Sequence, residues 1–192
     1  PYVYSGHYRA VRAFLNWAVK QDYVPRNPLR FSPPKLPQRE PPCLTDDELK
    51  RIFAAVELGS TKLRDRAIFL ILVGTGMRVE ELHLLTLEDI DVGGRLIRIR
   101  RGKGNKSRTL KVKAAVMKAL WTYLRQRRVP AMMECWQTEE GTPLTLSGLK
   151  QAISRVIERA KLTGTKASAH TFRHTFANNF LDEGGDVLEL QY

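Results

Sequence analysis

The spacing of hydrophobic positions along the chain predicts a protein built mainly of helices. Over residues 5–19 the apolar positions recur every three or four residues, which is typical of one amphipathic helix. Residues 67–73 are apolar without interruption, so the helix expected over about 61–73 has no polar face and belongs in the core. Gly74 and Gly76 follow this helix and are expected to end it.

A change to a two-residue period predicts strands in the middle of the chain. Residues 95–100 and 109–112 alternate between apolar side chains and basic or polar ones. A Gly-Gly pair at 93–94 signals a two-residue hairpin, and the glycine- and lysine-rich segment 102–107 predicts a longer turn. Together these features predict a three-stranded antiparallel sheet from about 89 to 112.

Helix start signals and apolar faces locate the remaining helices. Thr45 is predicted to cap a helix, with Glu48 closing a capping box and Leu44 packing as a hydrophobic staple. Further helices are expected at about 79–85, 114–127, 148–161 and 171–182. The fold class that follows is α+β and mainly helical, with one small sheet packed on a helical core.

A proline-rich segment divides the chain. Residues 25–44 combine prolines with basic residues, a composition that cannot sustain a helix and favours extended polyproline geometry. We therefore expect a linker over 25–44, a separate helical piece in 1–24, and a main domain over 45–192.

The charge balance favours a polyanionic partner. Lysine and arginine number 32 against 20 acidic residues, which gives a net charge of +12 and a pI near 10.0. Nucleic acid is the first candidate for such a partner. A generally basic protein without one fits the charge equally well, so the choice depends on motifs.

The cysteines and the hydropathy exclude several classes of protein. Cys43 and Cys135 stand far apart and form no CxxC pair, so neither a disulfide framework nor a zinc site is predicted. No apolar run approaches the roughly 18 residues of a membrane span, and no signal-peptide pattern is found. We therefore expect a cytoplasmic protein that does not act at a membrane.

Three separated motifs resemble the catalytic domain of the tyrosine recombinases, the phage integrase family. They are TGMRVEEL at 75–82, GKGNKSR at 102–108 and HTFRHTFA at 170–177, in the order and spacing of that family. The resemblance covers residues 45–192 and implies the tyrosine-recombinase catalytic fold. The helix at 5–19 resembles the last helix of the family's DNA-clamping core-binding domain, which assigns residues 1–24 to that domain.

The resemblance implies a set of catalytic residues. Arg78 and Arg173 match the arginines that hold the phosphate, whose transition state gains negative charge on its non-bridging oxygens. A surface salt bridge is the ordinary alternative for an arginine. Lys103 matches the lysine that protonates the leaving 5′-oxygen, with Lys106 as the alternative. His170 matches the first histidine, which accepts the tyrosine's proton or bonds to the phosphate.

Further residues are expected to support this set. Glu81 lies three residues after Arg78 and is expected to hold its guanidinium group. His174 is interpreted as a packing or hydrogen-bonding residue. Its i, i+4 pairing with His170 could indicate a metal site, but no further ligand supports one, so no metal is predicted. A basic rim in contact with DNA is expected from Arg98, Arg100, Arg101, Lys106 and Arg108.

The resemblance also implies a nucleophilic tyrosine at a position that this chain does not include. The segment that ends in Tyr192 corresponds to the helix before the family's Gly-His element, so Tyr192 is not expected to be the nucleophile. The other tyrosines lie outside the nucleophile's position as well. We expect the catalytic domain to continue beyond Tyr192 and this chain alone to cleave no DNA.

The function implied is site-specific DNA recombination by transesterification through a 3′-phosphotyrosyl intermediate. Double-stranded DNA is the expected partner, the reaction takes place in a protein tetramer, and no cofactor or small-molecule substrate is involved. Two alternatives remain open: a non-catalytic or degenerate DNA-binding module, and a type IB topoisomerase-like enzyme that relaxes supercoils. A metal-binding domain is favoured only by the pair His170 and His174.

Overall fold

The computed structural model describes residues 2–29, 31–32, 41–100, 107–163 and 167–186, with the backbone alone at 2–5. Contacts divide the chain into two compact units, Pro1–Glu40 and Pro41–Tyr192. No helix of the described segments is long and apolar enough to cross a membrane.

The first unit contains helix α1, Tyr2–Lys20, which confirms the helix expected at 5–19. Tyr8 and Ala18 are buried, and the Tyr8 hydroxyl donates a hydrogen bond of 2.8 Å to the carbonyl of Phe31. Phe14 and Trp17 stay exposed and pack against each other, with ring centroids 5.8 Å apart. The apolar face predicted for this helix is therefore only partly covered within its own unit.

The second unit is mainly helical with one small sheet, as the sequence predicts. Its elements in order are α2 (Asp46–Glu57), α3 (Lys62–Thr75), α4 (Val79–His83), a 3-10 turn (Leu87–Asp89), β1 (Ile90–Asp91), β2 (Leu96–Ile99), β3 (Arg108–Lys111), α5 (Ala114–Gln126), α6 (Leu146–Ala160) and α7 (Ala169–Asp182). The strands form a three-stranded antiparallel sheet in the order β1-β2-β3.

Helix α3 lies at the centre of this unit and packs against α2, α5, α6 and α7. Its residues Ala67, Ile68, Phe69, Ile71 and Leu72 are all buried, which confirms that it is a core helix. Burial all around the helix explains why its apolar residues run without interruption.

The C-terminal end of α3 differs from the prediction. The helix continues through Gly74 to Thr75, and Gly76 ends it in the left-handed conformation with φ of 59°. A Cβ at Gly74 would lie 3.0 Å from Cγ2 of Val116, so this glycine serves the close approach of α5. Gly74 therefore reflects helix packing, and Gly76 alone is the helix stop.

The first hairpin turn also differs from the prediction. Asp91 pairs with Leu96, which leaves a loop of residues 92–95 in place of the two-residue Gly-Gly turn. The Asp91 carboxylate accepts a 2.9 Å hydrogen bond from the Gly94 amide, and Arg95 takes a positive φ of 54°. The aspartate side chain thus organises a longer loop than the glycine pair alone suggested.

Local capping signals predicted one helix start correctly and missed another by two residues. Thr45 and Glu48 form the expected capping box at α2, with the Thr45 hydroxyl 3.2 Å from the Glu48 amide. Helix α6 begins at Leu146, with Thr145 as its cap. The sequence pattern predicted that this helix starts at about residue 148.

Candidate active site

Arg78 lies at the turn between α3 and α4, where the chain leaves the left-handed Gly76 and reverses direction. Its backbone is extended, and it occupies the N-cap position of α4. The Glu81 side chain returns to this cap, with Oε2 accepting a 3.0 Å hydrogen bond from the Arg78 amide. Glu81 Oε1 lies 3.1 Å from Nη1 of Arg78, so the same carboxylate holds both the backbone and the guanidinium group.

Glu81 also has a partner that was not expected from the sequence. Arg108, the first residue of β3, donates from Nη1 and Nη2 to the two carboxylate oxygens at 2.9 and 2.8 Å. This is a bidentate pair, the strongest arrangement of an arginine and a carboxylate. The Glu81 side chain is 4% exposed and that of Arg108 is 18% exposed.

The ionisation of Glu81 depends on these donors. Burial raises the pKa of the Glu81 carboxyl, but hydrogen bonds from Arg108 and the Arg78 backbone, together with the Arg108 charge, lower it further than burial raises it. Its pKa therefore lies below the ordinary value. Glu81 is a carboxylate at neutral pH.

Arg173 reaches the same place from α7. Its Nη1 donates a 2.7 Å hydrogen bond to the Gly76 carbonyl, 97 residues away along the chain. Burial lowers the pKa of Arg173, and the nearby positive charges of Arg78 and Arg108 lower it further, against the opposing effect of Glu81. Three guanidinium groups thus interact with one carboxylate, and the four groups together carry a net charge of +2. Such a concentration of positive charge suits an anionic ligand.

Close packing fixes the spacing between the two predicted phosphate-binding arginines. A Cβ at Gly76 would lie 2.5 Å from Cδ1 of Phe176, which is one turn of α7 away from Arg173. The absence of a side chain at Gly76 therefore lets α7 approach the turn that carries Arg78.

The two histidines of α7 are both exposed. His170 lies in the first turn of the helix and His174 lies one turn later. A hydrogen bond from Lys150 is the main cause that lowers the pKa of Glu80, and the charge of His170 contributes to the same effect. The packing or hydrogen-bonding role expected for His174 remains a prediction. Among the described residues, no group of acidic, cysteine and histidine side chains could hold a metal ion.

The residues expected in a basic rim fall into three groups. Arg98 is exposed on β2. Arg100 is 49% exposed and paired, with Nε 2.5 Å from Asp89 and Nη2 2.8 Å from Glu88. Arg108 points inward to Glu81 and does not lie on an exposed rim. Lys103, together with Arg101 and Lys106, lies outside the described residues.

Strand register explains the inward position of Arg108. Arg108 pairs with Ile99 across β2 and β3, and Ile99 is buried. Directly paired residues of antiparallel strands lie on the same face of the sheet, so Arg108 faces the core side with Ile99. In the sequence, Ile97 and Ile99 alternate with arginines. If the pairing of Ile99 with Arg108 had been predicted, Arg108 would have been placed on the same face of the sheet as the isoleucines.

The sequence pattern of the phage integrase family matches residues 42–192. The tyrosine recombinase XerC of Myxococcus xanthus is 34% identical over 195 residues, which cover 95% of this chain and 63% of that protein. The tyrosine recombinase XerA of Pyrococcus furiosus is 32% identical over 163 residues, covering 84% of this chain and 56% of that protein. The chain thus spans less than two thirds of the length of these curated relatives.

Solved structures of recombinases are similar to the chain as well. A crystal structure of XerA recombinase superposes with a TM-score of 0.70 at 31% identity, covering 97% of this chain and 65% of that one. XerH bound to a palindromic difH substrate, a post-cleavage complex, gives 0.64 at 27% identity, covering 80% and 46%. The Tn1549 transposon integrase in complex with circular intermediate DNA gives 0.77 at 20% identity over 96% and 67%, a likeness of fold alone.

Proposed function

Because the chain belongs to the phage integrase family, we propose that it forms the catalytic domain of a site-specific DNA recombinase. In this reaction a tyrosine hydroxyl attacks a DNA phosphodiester, which forms a 3′-phosphotyrosyl bond and releases a 5′-hydroxyl. A 5′-hydroxyl from another strand then attacks that bond and releases the tyrosine. One phosphodiester is exchanged for another, so the reaction needs no external energy source.

The meeting of Arg78 and Arg173 around Gly76 is the observation that carries the proposal. Arg173 is anchored on the Gly76 carbonyl, and Arg78 follows two residues later with its own anchor on Glu81. Two guanidinium groups held this way can donate to the non-bridging oxygens of one phosphate as its negative charge increases. Because both are already positioned before DNA binds, little reorganisation is needed in the transition state.

Proton transfer is assigned to two other residues. His170, on the same helix as Arg173 and three residues before it, accepts the proton of the attacking tyrosine or bonds to the phosphate. Lys103, which lies outside the described residues, gives a proton to the leaving 5′-oxygen. The first of these assignments is supported by the position of His170 in the first turn of the helix that carries Arg173.

Double-stranded DNA is the proposed partner, with four protomers assembled on it. The net charge of +12 supports a polyanionic ligand. The related site-specific recombinase XerH is bound to a palindromic difH substrate, which supports DNA as that ligand. Exposed Arg98 and the partly exposed Arg100 are proposed to contact the DNA backbone beside the active site.

Covalent trapping tests the proposed reaction. The full-length gene product that contains this chain is incubated, in the presence of a chelator, with a nicked DNA substrate whose released fragment diffuses away. The wild type is expected to form a covalent protein–DNA adduct. Arg78→Lys and Arg173→Lys, which keep the charge but lose the planar fork, are expected to form it at least about 100-fold more slowly.

The matched control is Arg66→Lys, an exposed arginine on α3 that pairs with Glu57. This variant is expected to form the adduct at the wild-type rate. DNA binding by the wild type without any adduct would contradict the recombinase and support a non-catalytic DNA-binding module. Relaxation of supercoiled plasmid without strand exchange would support a topoisomerase instead.

A further inference from the structure

Strand β3 is linked to the arginine pair through Arg108, its first residue. The two terminal nitrogens of Arg108 bind both oxygens of Glu81. Glu81 in turn holds the amide and the guanidinium group of Arg78. A continuous series of hydrogen bonds therefore runs from β3 to a predicted phosphate-binding residue.

Arg108 and Arg78 do not contribute equally to holding the Glu81 carboxylate. Arg108 gives Glu81 two hydrogen bonds of 2.8 and 2.9 Å, whereas the Arg78 guanidinium gives it one of 3.1 Å. The Arg108 side chain is also less exposed than that of Arg78, at 18% against 33%. Arg108 therefore contributes most to holding the buried carboxylate, while Arg78 keeps a larger part of its surface open to solvent.

We propose that Arg108 is a positioning residue, which orients Arg78 through Glu81. The proposal rests on the recombinase function proposed above. It replaces the role expected from sequence, in which Arg108 contacts DNA directly from a basic rim. By holding the Glu81 carboxylate in place, Arg108 keeps the Arg78 guanidinium group oriented for the phosphate.

Titration of Glu81 tests the contact without depending on activity. The pKa of the Glu81 carboxyl is measured by carbon-detected NMR in this chain, for the wild type, Arg108→Gln and Arg108→Lys. Burial raises the pKa of Glu81, and Arg108 opposes this effect with its hydrogen bonds and charge. The Glu81 pKa is therefore expected to rise in Arg108→Gln. Arg108→Lys retains the charge with a single donor and should give an intermediate pKa. An unchanged Glu81 pKa in a folded Arg108→Gln variant overturns the proposal.

Arg100→Gln is the matched control for this titration. Arg100 is a neighbouring arginine that pairs with Asp89 and Glu88 and not with Glu81. Its replacement should raise the pKa of Asp89, because a hydrogen bond from Arg100 and the Arg100 charge help to lower that pKa. The pKa of Glu81 should stay unchanged. Thermal unfolding of each variant verifies that it is folded. If Arg108→Gln does not fold, the decision rests on Arg108→Lys, where an unshifted Glu81 is the contradicting result.

A double-mutant cycle in the full-length gene product tests the effect on the reaction. Arg108→Gln and Glu81→Gln should each slow single-turnover cleavage at saturating DNA by about tenfold or more. The double variant should be no slower than the slower single variant, because both act on Arg78 through the same path. Losses that multiply in the double variant overturn the proposal.

The salt dependence of DNA binding separates this role from a direct DNA contact. If Arg108 has a positioning role, Arg108→Gln leaves the slope of log affinity against the logarithm of the salt concentration unchanged. If Arg108 contacts a phosphate directly, the variant lowers the magnitude of this slope by about 1. A lowered slope would therefore support the rim interpretation. Failure of the proposed function appears separately, as a wild-type protein that forms no adduct while the Glu81 titration behaves as expected.

Discussion

The Glu81 carboxylate is buried, yet it stays ionised because its donors outweigh its loss of solvent. It accepts two hydrogen bonds from Arg108 and two from Arg78. A carboxylate with fewer donors at this position would tend to take up a proton. The same residue was expected from the sequence to hold Arg78, since an i, i+3 spacing makes that contact local. Its contact with Arg108 depends on strand register, which motif spacing does not specify.

The depressed pKa of Glu81 makes part of the folding stability dependent on pH. The pKa in the unfolded chain is about 4.3, and it is lower in the folded protein. The stabilisation is therefore fully present above about pH 4.3 and is lost as the pH falls through the folded pKa. Glu81→Gln is expected to cost about 2 to 3 kcal/mol of unfolding free energy at pH 7.

Urea unfolding of the wild type and Glu81→Gln at several pH values measures this contribution. The difference in unfolding free energy between the two should shrink as the pH falls below about 4.3, the ordinary glutamate pKa. Asp89 also has a lowered pKa, but it is present in both proteins and cancels in the difference. A difference that stays constant with pH would show that Glu81 ionisation does not stabilise the fold.

At the scale of elements, local signals were predictable and contacts between elements were not. The capping box of Thr45 and the periodicity of the helices are encoded within a few residues, and both were predicted. The role of Gly74 depends on the approach of Val116, from a helix 40 residues later. The segment between α5 and α6 was not predicted to be ordered, yet Trp136 is buried there and its Nε1 donates a 2.7 Å hydrogen bond to the Leu82 carbonyl.

Among the turns between helices and strands, substitution at Gly76, between α3 and α4, is expected to affect the site most. A side chain there requires the left-handed conformation and also a displacement of Phe176. Gly76→Ala should therefore cost about 1 to 2 kcal/mol for the backbone and a further 1 to 3 kcal/mol for overpacking. Because the Gly76 carbonyl holds Arg173, the variant should also lose adduct formation under conditions in which it is still folded.

Gly184→Ala separates the cost of the left-handed backbone from the cost of overpacking against Phe176. Gly184 has a positive φ of 86°, and a Cβ there would have no atom within 4 Å. Denaturant unfolding should give a cost of about 1 to 2 kcal/mol for Gly184→Ala and a clearly larger one for Gly76→Ala. Equal costs in the two variants would mean that the contact with Phe176 does not constrain the turn.

At the scale of the whole molecule, the candidate site exists only when the second unit is folded. Arg78 comes from the turn after α3, Arg108 from β3 and Arg173 from α7, so distant parts of the sequence meet at one carboxylate and one carbonyl. Motif resemblance predicted that Arg78 and Arg173 belong to one site. The net charge of +12 was compatible with that site, but it also fits a basic protein of any other function.

The claim that Arg78 and Arg173 stabilise charge on the phosphate is tested most directly by removing that charge from the DNA. A methylphosphonate at the scissile position replaces one negatively charged oxygen with a neutral methyl group. Cleavage rates are measured on phosphate and methylphosphonate substrates for the full-length wild type, Arg78→Ala and Arg173→Ala. For at least one alanine variant, the fold reduction in cleavage rate relative to the wild type should be about tenfold smaller on the methylphosphonate substrate than on the phosphate substrate. Equal losses on both substrates, in both variants, would contradict a role for these arginines in stabilising phosphate charge.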